Sequence, residues 1–168
     1  MGDATDTCRA RVTRRDAVVQ RLIEGLAASD AIEGAYLGGS LASGRADALS
    51  DIDIGLAAAC GRSDEAWTVA QGLALEPGPP RRAIEGAWPG TRLLACLYSA
   101  DNYPPIGLEL DIAVSSLRDV DSQTLFAPQR VVCDRHGRLR AELASIPPTP
   151  TAVDTAVTVP PLPWWPAG

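Results

Sequence analysis

The sequence predicts an α+β protein in which helices pack on one face of a small mixed β-sheet. Three observations carry this. An amphipathic helical stretch opens the interpretable part of the chain, several short runs with strand patterning follow, and the order of elements departs from the strict strand–helix alternation of a doubly wound fold. At 168 residues, with 46% hydrophobic and 21% charged residues, the chain has the size and composition of one ordinary globular domain.

From Asp16 to Ala28 the apolar residues Val18, Val19, Leu22, Ile23 and Leu26 recur at helical spacing and form one buried stripe. Ile32–Leu37 reads as a strand running into Gly38-Gly39-Ser40, where paired glycines permit a tight turn; Ser40 is a candidate N-cap for a short helix from Leu41. Asp51-Ile52-Asp53-Ile54-Gly55-Leu56 alternates acid and aliphatic side chains, so both aspartates share one strand face. Ser63–Leu75 reads as a helix with Ser63 as N-cap and acids in its first turn, ended by Glu76-Pro77-Gly78-Pro79-Pro80. Arg92–Ser99 and Gly107–Ser115 are strand-like and joined by a Pro-containing loop, an antiparallel pair. Gln129–Cys133 predicts a further short strand, Asp134–Gly137 a turn, and Arg138–Ala144 a last short helix. Seven of the 14 prolines lie in 147–168, which predicts an irregular tail after a folded unit spanning 1–146.

Composition narrows the function. The net charge of −6 and the lack of any long single-sign block argue against nucleic-acid coating. No run is apolar enough to span a bilayer, and MGDATDTCRARVTRRD lacks the apolar core of a signal peptide, so a cytoplasmic protein without a membrane partner is expected. The four cysteines are widely spaced without a Cys-x-x-Cys pair, and the single histidine, His136, falls in the turn after residue 133. All 15 basic residues are arginines, which removes lysine-based catalysis. Arg81, Arg82 and Arg92 read as solvated surface, Trp67 as core, and Trp88 as a loop residue suited to stacking on a base or sugar.

The chemistry concentrates in the acids. Asp111 lies in Leu108-Glu109-Leu110-Asp111-Ile112, so Glu109 and Asp111 share a strand face as Asp51 and Asp53 do. Like charges about 4 Å apart at an effective dielectric near 20 repel by about 4 kcal/mol, a penalty that a divalent cation removes. Oxygen donors without histidine or thiolate select hard ions, so Mg²⁺ is expected, with Mn²⁺ as substitute.

The stretch Leu37-Gly38-Gly39-Ser40-Leu41-Ala42-Ser43-Gly44-Arg45-Ala46-Asp47-Ala48-Leu49-Ser50-Asp51-Ile52-Asp53-Ile54 resembles the signature of the DNA polymerase β-type nucleotidyltransferase superfamily: Gly-Ser, a glycine-containing spacer, then Ser-Asp-x-Asp. Asp111 matches that superfamily's third acid. Within it, the chain is most similar to bacterial aminoglycoside and lincosamide nucleotidyltransferases and to minimal nucleotidyltransferases, over roughly residues 16–144.

The resemblance implies a palm-like nucleotidyltransferase fold and a nucleoside triphosphate, ATP first, with its phosphates against Gly38, Gly39 and Ser40. Arg45 and Ser50 are further candidate phosphate contacts, and two metal ions would be held by Asp51, Asp53 and Asp111. Glu109 is a candidate base or outer ligand. The implied activity is transfer of a nucleoside monophosphate to a hydroxyl of a small molecule such as an aminoglycoside, an antibiotic-resistance chemistry, with release of pyrophosphate. The alternatives are an antitoxin-like enzyme that adenylylates a tyrosine of a partner toxin protein, or a non-catalytic nucleotide-binding relative. A homodimer is the family's usual way to complete a small enzyme's cleft. The chain departs from the pattern at Ser43, where many relatives have arginine, and at 147–168, where antibiotic nucleotidyltransferases begin a helical domain that helps form the acceptor pocket.

Overall fold

The computed structural model describes residues 4–120 and 128–146. The elements are α1 (Ala4–Ala28), β1 (Ile32–Leu37), α2 (Gly39–Ser43), β2 (Ile52–Ala58), α3 (Ser63–Leu73), β3 (Arg82–Trp88), β4 (Thr91–Tyr98), β5 (Leu108–Ser116), β6 (Arg130–Asp134) and α4 (Arg138–Ser145). Six strands form one mixed sheet in the order β3-β4-β5-β2-β1-β6. Only β2 and β5 run parallel; the other neighbours are antiparallel. The chain leaves β2 through α3 and the β3–β4 hairpin before β5 returns beside β2, which brings two acid-bearing strands together from far apart in sequence.

The α+β class and the mixed sheet agree with the sequence, but the helices occupy both faces. α1 and α3 cover the face carrying Ile52, Ile54, Leu110 and Ile112, with Leu22 and Trp67 in the same core. On the opposite face α4 sets Leu139 against Tyr36, Ala57 and Ala113. Two glycines make this second packing feasible: a Cβ on Gly34 would stand 2.7 Å from Leu139 Cδ2, and one on Gly55 2.1 Å from Tyr36 Cζ. α4 packs on the β1–β6 side, Leu93 of β4 joins the same cluster, and further along β4 Leu97 on this face is exposed.

Several local expectations shift. α1 starts twelve residues before the expected helix start at Asp16, because the buried face continues through Arg15 and Arg11 rather than through aliphatic residues. α2 starts at Gly39 with Gly38 at the N-cap, in place of Ser40, because Gly39 at φ +55° turns the chain directly off β1. α3 is capped by Arg62, in place of Ser63, after Gly61 at φ +74° turns the chain. β2 begins at Ile52, so Asp51 is the last residue of the preceding loop. Arg82–Trp88 forms an edge strand that the sequence left unassigned; Trp88 closes it and pairs with Thr91 across Pro89-Gly90. Trp67 is core as expected, whereas Arg92 is not free in solvent: its guanidinium lies 3.9 Å from the Trp67 ring centre and 3.6 Å from Asp64.

His136 is an exposed turn residue, with Nδ1 2.9 Å from Oε1 of the buried Glu33. The cysteines are free thiols. Among the described residues no helix is long and apolar enough to cross a membrane. The predicted Pro-rich tail lies outside the described residues.

Candidate functional site

Strand register brings the acids together. Asp53 on β2 is the direct partner of Asp111 on β5, and adjacent strands lie about 4.8 Å apart. Glu109 stands two residues before Asp111 on the same face, so Asp53, Glu109 and Asp111 share one end of the face opposite α1 and α3, with Asp51 in the loop immediately before β2. Asp51 is exposed; Asp53, Glu109 and Asp111 are half-buried.

Their mutual effect is visible in their acidities. Asp111 is pushed up to about 7, first by burial and then by the charges of Glu109, Asp53 and Asp51. Asp53 is raised by burial and by Asp51, and Glu109 by burial and by both Asp51 and Asp53. Asp51 is raised by burial, with Arg11 pulling it back. Asp111 Oδ1 is buried and has no hydrogen-bond partner among the described residues, the costly condition of an unsatisfied polar atom.

The glycine turn abuts this cluster. The Gly38 N–H donates to the Asp53 carbonyl at 2.9 Å, and a Cβ on Gly39 would stand 2.6 Å from Asp53 Oδ2, so any side chain there would displace the carboxylate. Ser40 follows in the first turn of α2, and its carbonyl accepts from the Arg45 N–H and the Ser43 hydroxyl. The Ser50 hydroxyl donates to Asp47 Oδ1 and accepts from the Asp47 N–H, which locks the turn that presents Asp51. The Arg45 side chain is exposed and lies 3.4 Å from the Ser43 hydroxyl. Asp51, Asp53, Glu109, Asp111, Gly38 and Gly39 thus form one neighbourhood, while the side chains of Ser50 and Arg45 are engaged within the intervening loop.

Arg11 is a site residue that the sequence did not disclose. Fully buried on α1, it donates from Nε to the Gly107 carbonyl at 3.0 Å and from Nη1 to the carbonyls of Ala48 and Ser50. Arg15, one turn on, donates to the Asp47 carbonyl at 2.5 Å. Together they fasten to α1 the loop that ends at Asp51. The signal was available in the spacing, since Arg11 and Arg15 extend the Val18–Leu22–Leu26 stripe by helical steps of four and three residues.

Beside the acids opens a cleft of about 530 Å³ whose walls include Arg11, Asp51, Glu109, Leu97, Arg81 and Arg82. Arg81 and Arg82 therefore border the cleft. Among the described residues no three His, Cys, Asp or Glu side chains stand arranged as a metal site. The donor set nevertheless fits a hard divalent cation, being all carboxylate, mutually repelling and provided with an unpartnered buried oxygen on Asp111. No family model and no curated protein matches the chain.

Proposed function

We propose that the chain is a metal-dependent nucleotidyltransferase that moves a nucleoside monophosphate from a nucleoside triphosphate, with ATP the first donor to test, to a hydroxyl of a small-molecule acceptor. The observation that carries this reading is the Gly38-Gly39 turn lying against Asp53 while Asp111, with its orphaned Oδ1, pairs with Asp53 in register. Asp51, Asp53 and Asp111 would hold Mg²⁺, or Mn²⁺ in its place, and the bound cations would neutralise phosphate charge and make the attacking hydroxyl more acidic.

In this reading the protein's own groups divide the work. The backbone N–H groups of Gly39 and Ser40, together with the Ser40 hydroxyl, bind phosphate oxygens of the donor, while the Gly38 N–H ties the turn to the Asp53 carbonyl. The absence of a side chain at Gly39 keeps the Asp53 carboxylate in place beside them. The acceptor oxygen attacks the α-phosphorus, the bond from that phosphorus to the bridging oxygen breaks, and pyrophosphate leaves. Glu109, made a stronger base by burial and by the charges of Asp51 and Asp53, takes the acceptor proton. Arg11 and Arg15 keep the Asp51 loop in position.

The test is pyrophosphate release. With Mg²⁺, a triphosphate and a hydroxyl acceptor, the wild type is expected to turn over, and Asp53→Asn to lose at least about a hundredfold in rate while unfolding at a similar temperature. Equal rates in both proteins would contradict the assignment.

A further inference from the structure

The cleft next to the acids carries a second chemical signature. Arg81 and Arg82 border it, and among the described residues neither guanidinium has a carboxylate partner. Arg11 lines the same cleft, fully buried, and among the described residues its Nη2 has no hydrogen-bond partner. A buried guanidinium with an unused donor, beside two unpaired exposed ones, is an arrangement suited to a phosphate or carboxylate group. Exposed Leu97 and Ile106 add apolar surface to the cleft.

Register decides which substrate such an anion belongs to. Arg82 pairs with Leu97, which pairs with Glu109, the β5 neighbour of the Asp51 end of β2. The glycine turn lies beyond β2 in the opposite direction, at the end of β1. Four strand steps of about 4.8 Å put Arg82 about 19 Å from that turn, with the acids between them.

We propose that Arg81 and Arg82, with the buried Arg11, seat an anionic group of the acceptor, so that the acceptor class is a hydroxyl compound carrying a phosphate or carboxylate rather than a polycationic aminoglycoside. This rests on the nucleotidyltransferase reading: the donor occupies the glycine turn and the acceptor enters from the β3–β4 side. Guanidiniums there attract the anion, hold its hydroxyl toward Glu109, and repel ammonium groups.

The experiment is calorimetric titration of the full chain, wild type and Arg81→Gln/Arg82→Gln, with Mg²⁺ present throughout. The probes are glucose 6-phosphate, glucuronate, glucose, an aminoglycoside and, separately, ATP. The wild type is expected to bind at least one of the two anionic sugars tenfold or more tightly than glucose, and the stronger of them identifies phosphate or carboxylate as the group recognised. The double variant is expected to lose that preference while keeping ATP affinity within twofold. The inference would be overturned by an anion preference that survives in the variant, by tighter binding of the aminoglycoside than of either anion, or by a tenfold loss of ATP affinity, which would assign the arginines to the donor's phosphates. A wild type that binds no ATP would overturn the underlying function and this acceptor assignment together, whereas intact ATP binding without an anion preference would overturn the acceptor assignment alone.

Discussion

Asp111 concentrates the energetic cost of the site in one side chain. Its carboxyl is held at about 7 against an ordinary value of 3.8, first by burial and then by Glu109, Asp53 and Asp51. A carboxyl raised in the folded state holds a proton that the unfolded chain has already released, so stability falls as pH rises from about 4 to about 7. Without divalent cations, Asp111→Asn is therefore expected to stabilise the protein at pH 8 by roughly 2 kcal/mol, about half of what the full shift would give because the group is partly solvated. At pH 4 the two proteins should be nearly equal. Urea denaturation in a chelator at both pH values measures this, and a variant less stable than wild type at pH 8 would contradict it. Removing a group that costs stability while abolishing activity is the usual signature of a functional residue.

At the scale of elements, α1 is more than a lid on the core, because its N-terminal half fastens the Asp51 loop through Arg11 and Arg15. Arg11→Met would leave the Gly107, Ala48 and Ser50 carbonyls without their donor, an expected cost of about 3 kcal/mol. It should also speed amide exchange at Leu49 and Ser50; an unfolding midpoint within error of wild type and unchanged exchange would refute this role.

The same helix shows where sequence patterning reaches its limit. The aliphatic stripe from Val18 onward was readable, but the turns before it bury arginine, which a hydrophobic period does not register. β1 was readable end to end because its six residues are buried, only Glu33 among them is charged, and the run ends at a paired-glycine turn. β3 was not, because it is an edge strand largely exposed on both faces, where Arg-Ala-Ile-Glu-Gly-Ala-Trp need not alternate. The placement of α4 on the second sheet face depends on Gly34 and Gly55 admitting Leu139 and Tyr36, contacts between residues distant in sequence.

At the scale of the whole molecule, the site arises from one topological step, the return of β5 alongside β2 after the β3–β4 hairpin. The sequence discloses that Glu109 and Asp111 share a face of their own strand, since alternation is local, and it sets Asp51 beside Asp53 although the strand begins only at Ile52. The pairing of Asp53 with Asp111 belongs to the sheet order, as does the way β4 and β3 bring Arg81 and Arg82 to the cleft. The central claim is that the acids and the glycine turn form one metal-dependent triphosphate site. Calorimetric titration of ATP, GTP, CTP and UTP with Mg²⁺ into the wild type and into Asp51→Asn/Asp53→Asn tests it most directly. Saturable binding of at least one triphosphate by the wild type, lost in a double variant that remains folded, is the predicted result; no binding by folded wild type, or equal binding by both proteins, would contradict it.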